Sequence, residues 1–163
     1  MQKATELALS QEACTYLEKI EKADILVGIP SYNNVLTASY VISQVIRGLE
    51  TYFPDMRSVL FVSDGNSVDG TLTSLKTVEL PCKMGSSCNV NLIPAMYVGI
   101  SGKGSALKAV FEASHLLGTK AVALVDSDLR SITPEWMKLL ISPVLAGTGL
   151  VLPVTIGANM TAP

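Results

Sequence analysis

Histidine, cysteine and charge are all scarce in this chain. It has one His and three Cys among 163 residues, and 16% of its residues are charged. Cys14, Cys82 and Cys88 are too few and too unevenly spaced for a disulfide framework or a four-ligand zinc site. That points to a reducing, cytoplasmic setting, with a Cys82–Cys88 bridge in a loop as the alternative. Lys and Arg number 12 against 14 Asp and Glu, for a net charge of −2 and a pI near 5.3. With no block of like charges, a nucleic-acid-binding tract is disfavoured. No apolar run reaches the roughly 18 residues that cross a bilayer. The opening MQKATELALSQEACTYLEKIEKAD carries glutamates where a signal peptide would be uniformly apolar. A soluble protein is expected.

What the chain does contain is apolar surface. It is 48% hydrophobic with a mean hydropathy of +0.40, a composition that suits strands buried on both faces. The length fits one domain, 1–163, with an N-terminal helix (1–23), an α/β core (24–155) and a frayed tail (156–163).

Apolar periodicity fills in the elements. Residues 4–22 have helical spacing, with Leu7, Cys14, Leu17 and Ile20 on one face. Ile25–Ile29 is a β-branched run stopped by Pro30, and Ala38, Val41, Ile42, Val45, Ile46 and Leu49 mark a helix to about Tyr52. Strands are expected at Ser58–Ser63, Asn89–Pro94, Ala121–Val125 and Gly149–Val154. Helices are expected at 69–77 and 104–117, the latter with Leu107, Val110, Phe111, Ser114 and Leu117 on its face. Another follows Thr133 as cap and Pro134 as first residue. Strands alternating with helices give a doubly wound, mainly parallel α/β sheet with helices on both faces.

In such sheets ligands bind beyond the carboxyl ends of the strands, and the unusual residues of this chain fall there. PSYNN follows the first strand, DGNSVDG the second, GISGKGSA comes near the third, and DSD follows the fourth. An Asp-x-Asp pair leaving a buried strand offers hard oxygen ligands suited to Mg²⁺ or Mn²⁺ shared with phosphate oxygens; capping the next turn is the plainer use of Asp126 and Asp128. GISGKGSA lacks the spacing of a Walker loop, and no Gly-x-Gly-x-x-Gly follows the first strand. It leaves a lysine, Lys103, at a helix N-terminus, a place that can hold a diphosphate. Tyr32 offers a flat face for a base, and Asp64 an acceptor for a base imide.

VGIPSYNN, FVSDGNSVDGT, SGKGSALKAVFE and ALVDSDLRSITPEW, in that order, resemble the nucleotide-sugar-binding half of GT-A fold glycosyltransferases. They are similar to the large family-2 type, and the DSDL and Thr-Pro-Glu-Trp elements look closer to its glucosyl-3-phosphoglycerate synthase and mannosylglycerate synthase relatives. The likeness runs from about Ile25 to Leu145. It implies that Pro30, Ser31, Tyr32 and Asn34 line the nucleotide pocket and that Asp64 meets the base. Lys103 would contact base or phosphates, Asp126 with Ser127 would approach the ribose, and Asp128, with Asp126, would hold the divalent cation that bridges the diphosphate of a UDP- or GDP-linked sugar. Metal charge then stabilises the leaving nucleoside diphosphate.

The sequence departs from that pattern at Asn66 and Val68, both tolerable in a turn, and it stops at Pro163 where these enzymes continue into an acceptor-binding half. No catalytic base can therefore be named, nor can the acceptor. His115 falls within a helix away from the glycine loop and reads as structural or surface, Arg130 as a surface residue, and Trp136 and Met137 as core. Two further readings stand beside the transferase. One is a noncatalytic nucleotide-binding or oligomerisation module, whose uncovered apolar surface admits a homodimer. The other is a phosphatase with Asp126 as nucleophile, which the late position of the pair and the following Leu129 and Arg130 disfavour.

Overall fold

The computed structural model describes residues 7–78 and 89–153. Strands β1 (Ile25–Ser31), β2 (Ser58–Asp64), β3 (Val90–Met96) and β4 (Ala121–Leu124) form one sheet in the order β3-β2-β1-β4, every neighbouring pair parallel. Helices α1 (Gln11–Ile20), α2 (Ala38–Tyr52), α3 (Thr71–Lys76), α4 (Lys103–Leu117) and α5 (Glu135–Leu145) complete the order. The doubly wound α/β arrangement expected from the sequence is the one observed.

Side-chain alternation along the strands sorts the core into two layers. Ile25, Val27 and Ile29 of β1 join Leu60 and Val62 of β2 beneath α2 and α5. Leu26 of β1, with Val59, Phe61, Ile93 and Ala95, faces α1 and α4 on the other side. Helix α2 buries the stripe Val41, Ile42, Val45, Ile46 and Leu49, as its spacing predicts. On α4 the buried row is Ala106, Ala109, Val110, Ala113 and Leu117, while Phe111 is 53% exposed. The expected face is thus turned by about one row, because small residues bring this helix down onto the sheet. The approach is close: a Cβ on Gly28 of β1 would lie 2.3 Å from Val110 Cγ1.

Several boundaries differ from expectation; the helix after Pro134 has that proline, not Thr133, as its N-cap and starts at Glu135, and three others differ more. Helix α1 begins at Gln11 because Ser10 caps it, its hydroxyl accepting from the Ala13 amide at 3.3 Å. Leu7, expected on the helical face, is exposed and outside the helix. Leu9 instead bridges antiparallel to Tyr97. β3 runs past Pro94 to Met96, since an edge strand tolerates the missing donor of a proline. Finally, residues 149–153 form no strand; Leu150 and Leu152 are exposed, and among the described residues no strand pairs with them. Val154, the tail 156–163, Cys82 and Cys88 lie outside the described residues. Cys14 is a free thiol.

Candidate functional site

The site begins with a proline in the central strand. β4 pairs with β1 only from Ile25 to Gly28, and its last link is the Val125 amide donating to the Gly28 carbonyl at 3.0 Å. Two residues on, Pro30 has no N–H to offer a neighbour. β1 continues beside β2 to Ser31 while the chain after β4 turns away. The two ends separate at the point where the strand order reverses, between β1 and β4, which is where ligands enter doubly wound sheets.

Side chains lock the loops around this opening. Asp64, fully buried at the end of β2, accepts from the Ser67 amide at 2.8 Å and its hydroxyl at 2.7 Å. The Ser67 hydroxyl accepts in turn from the Asn33 amide at 2.8 Å, and Asn33 Oδ1 accepts from the Val68 amide at 2.9 Å. Asn66 takes the left-handed conformation, φ 67°, which asparagine tolerates at small cost, so this departure leaves the turn intact. Asp69 accepts from the Val35 amide and from the Thr71 hydroxyl and amide. The Thr71 hydroxyl bond, aided by the two amides, holds the Asp69 carboxyl below its ordinary value. Thr71 Oγ1 accepts from the Asn34 amide at 3.0 Å, and Asn34 Nδ2 donates to the buried Ser127 hydroxyl at 2.6 Å. The loop after β1 is thereby tied both to the loop after β2 and to the middle of the Asp-Ser-Asp sequence.

Opposite stands the glycine loop. Gly99 and Gly102 have φ of 117° and 143°, angles that side-chain-bearing residues avoid. Gly102 opens α4 without a side-chain cap, and Lys103, its first residue, reaches Asp126 Oδ1 at 2.7 Å. The Gly102 amide donates to the Tyr97 hydroxyl at 2.8 Å. Together these parts enclose a cavity of about 340 Å³, whose wall carries Pro30, Ser31, Tyr32, Asn34, Tyr97 and Lys103, with Asp126, Ser127 and Asp128 at the far side. Ser31 Oγ is buried at this wall with no hydrogen-bond partner among the described residues.

No family model matches the sequence, and no curated protein does. Among solved structures it is similar to glucosyl-3-phosphoglycerate synthase from Mycobacterium tuberculosis, in complex with Mn²⁺, uridine diphosphate and glucosyl-3-phosphoglycerate. That match has 20% identity and a TM-score of 0.52 over 90% of this chain and 48% of the other. It is also similar to mannosyl-3-phosphoglycerate synthase from Rubrobacter xylanophilus, at 21% identity and TM-score 0.52 over 86% of this chain and 42% of that one. The chain has the GT-A fold. It spans less than half the length of either synthase.

Of the residues that the sequence assigns to a GT-A donor site, all but one lie on the cavity wall. The exception is Asp64, buried at the end of β2, where its two oxygens accept from Ser67. Asp126 and Asp128 are exposed beside the cavity, and their carboxylates are the hard donors that Mg²⁺ or Mn²⁺ takes. No group of three or more His, Cys, Asp or Glu converges among the described residues. A cation held by these two aspartates would have to complete its shell with ligand oxygens and water. Arg130 is exposed and off the wall, His115 lines a separate hollow with Leu7, Phe111 and Leu116, and Met137 is core with Trp136 packed against it. Sequence reading missed Tyr97. It stands one residue past β3, and ending that strand at Pro94 hid its place at the rim.

Proposed function

We propose that this chain is the donor-binding portion of a glycosyltransferase, which takes a UDP- or GDP-linked sugar with a divalent cation and delivers the sugar to an acceptor. The observation that carries the reading is the convergence of Tyr32, Asn34, Lys103, Asp126, Ser127 and Asp128 on one cavity at the β1/β4 switch point. The fold likeness to a synthase solved with Mn²⁺ and UDP supports it. In this reading Tyr32 stacks on the base, and Ser31 and Asn34 line the nucleotide pocket. Asp126 approaches the ribose and, with Asp128, holds Mg²⁺ or Mn²⁺. The cation supplies positive charge against the diphosphate leaving group. Lys103 is bound to Asp126 before ligand arrives; donor phosphates and cation together offer both groups new partners of opposite charge. Among the described residues no helix is long and apolar enough to cross a membrane.

Calorimetric titration of UDP and then GDP, with and without Mn²⁺, tests this reading. Metal-dependent binding that Asp128→Ala abolishes is the expected result. Failure of the folded protein to bind either nucleotide with Mn²⁺ would overturn it.

A further inference from the structure

We propose that Tyr97 is a positioning residue: its hydroxyl pins the glycine loop at Gly102 and thereby sets where Lys103 stands opposite Asp126. The proposal rests on the donor-site reading for what Lys103 does, but the tether itself is independent of it. Among the described residues, the Gly102 amide bond to Tyr97 Oη is the only hydrogen bond that joins residues 99–102 to anything outside α4. The loop it restrains contains two glycines at positive φ, so its backbone has little conformational stiffness of its own. The next residue is Lys103, whose ammonium lies 2.7 Å from Asp126 Oδ1.

The anchor, by contrast, is firm. The Tyr97 amide donates to the Asp64 carbonyl at 3.2 Å, and the residue is bridged to Leu9. The Val98 amide donates to the Ala8 carbonyl at 2.7 Å. The Ala8 and Leu9 amides both donate to Glu112 Oε2, at 2.7 and 3.1 Å, and Glu112 belongs to α4. The contacts therefore form a closed circuit. Helix α4 holds the N-terminal segment through Glu112, that segment and β2 hold Tyr97, and Tyr97 holds Gly102, the residue that opens α4.

Removing the hydroxyl alone, by Tyr97→Phe, keeps the ring and tests the tether in two ways. In the ligand-free protein, amide exchange at Gly102 followed by NMR should accelerate about five- to tenfold, the range expected for one lost hydrogen bond. Mn²⁺-dependent UDP affinity should fall about fivefold in the wild-type background, and less than twofold when Lys103→Ala is already present, because the hydroxyl acts through that lysine. Unchanged exchange at Gly102 overturns the tether. Equal losses of affinity in both backgrounds overturn the positioning role, since they make the hydroxyl a direct ligand contact. A wild-type protein that binds no UDP sinks the donor reading instead, and Gly102 exchange then decides the tether alone.

Discussion

Replacing Gly28 with alanine sets a new Cβ 2.3 Å from Val110 Cγ1 and 2.7 Å from Cγ2, where carbon atoms in contact lie about 3.5–4.0 Å apart. Neither partner yields easily. Gly28 is paired on both sides, with Phe61 and with Leu124. Val110 is fully buried on α4, where a β-branched side chain holds essentially one rotamer. The helix has to rise from the sheet, and overpacking of this kind costs about 1–3 kcal/mol. The size of the overlap places Gly28→Ala near the upper end, about 3 kcal/mol. Val110→Ala alone removes two buried methyl carbons and costs about 1.5–2 kcal/mol. In the double variant the nearest remaining atom is Val110 Cβ at 3.1 Å, a strain that a few tenths of an ångström relieves. The added methyl then fills the space the valine vacated, so the double variant should be about 2 kcal/mol more stable than the sum of the single losses. Urea unfolding with matched slopes measures all three. Losses that add to within about 0.5 kcal/mol would refute the close-approach argument.

Two further perturbations probe the joints of the fold. Asn34→Ala strips the buried Ser127 hydroxyl of its only donor among the described residues and should lower stability by about 1–3 kcal/mol in denaturant unfolding; a loss below about 0.5 kcal/mol would show that the tie does not hold the Asp-Ser-Asp turn. Asp24 joins the start of β1 to the starts of its two neighbours, its carboxylate accepting from Lys120 Nζ at 2.9 Å and the Arg57 amide at 3.0 Å. The Lys120 bond first, and the Arg57 amide next, keep its carboxyl below the ordinary 3.8. A folded pKa below the unfolded one stabilises above about pH 4 and is lost as pH falls through the folded value. Asp24→Asn should therefore weaken the protein at neutral pH and flatten the acid limb of its stability curve; an acid limb parallel to wild type would count against the assignment.

The sheet and the rim of the cavity were legible because each left a short-range signal. Runs such as Ile25–Ile29 and Ser58–Ser63 are apolar without alternation, as strands buried on both faces must be. Their polar continuations mark the strand ends, from which Tyr32, Lys103 and Asp128 stand out, while Pro30 and Asn34 follow from the family resemblance. What escaped depends on partners distant in the chain. The face of α4 follows from the absence of a side chain at Gly28, which periodicity within the helix does not contain. Residues 7–10 carry helical spacing, but the Ser10 cap and the Leu9–Tyr97 bridge take them out of the helix. Gly149–Val154 has a strand-like composition, and composition does not provide the neighbour that a strand needs. Asp64 reads as a ligand group by position, and its additional bonds to Ser67 are visible only once the turn is built.

The order β3-β2-β1-β4 also sets a timetable for synthesis. β1 is made first among the strands, and β2 arrives soon after, but the partner for its other edge, with Ile25 beside Ala121, is made last. At translation rates of about 5–20 residues per second, that edge waits roughly 5–20 s for β4. During that interval the strand destined for the middle of the sheet is an unpaired edge of Ile, Leu and Val, the kind that invites pairing with other chains. A nascent chain stalled between β3 and β4 would therefore be the species most in need of a chaperone.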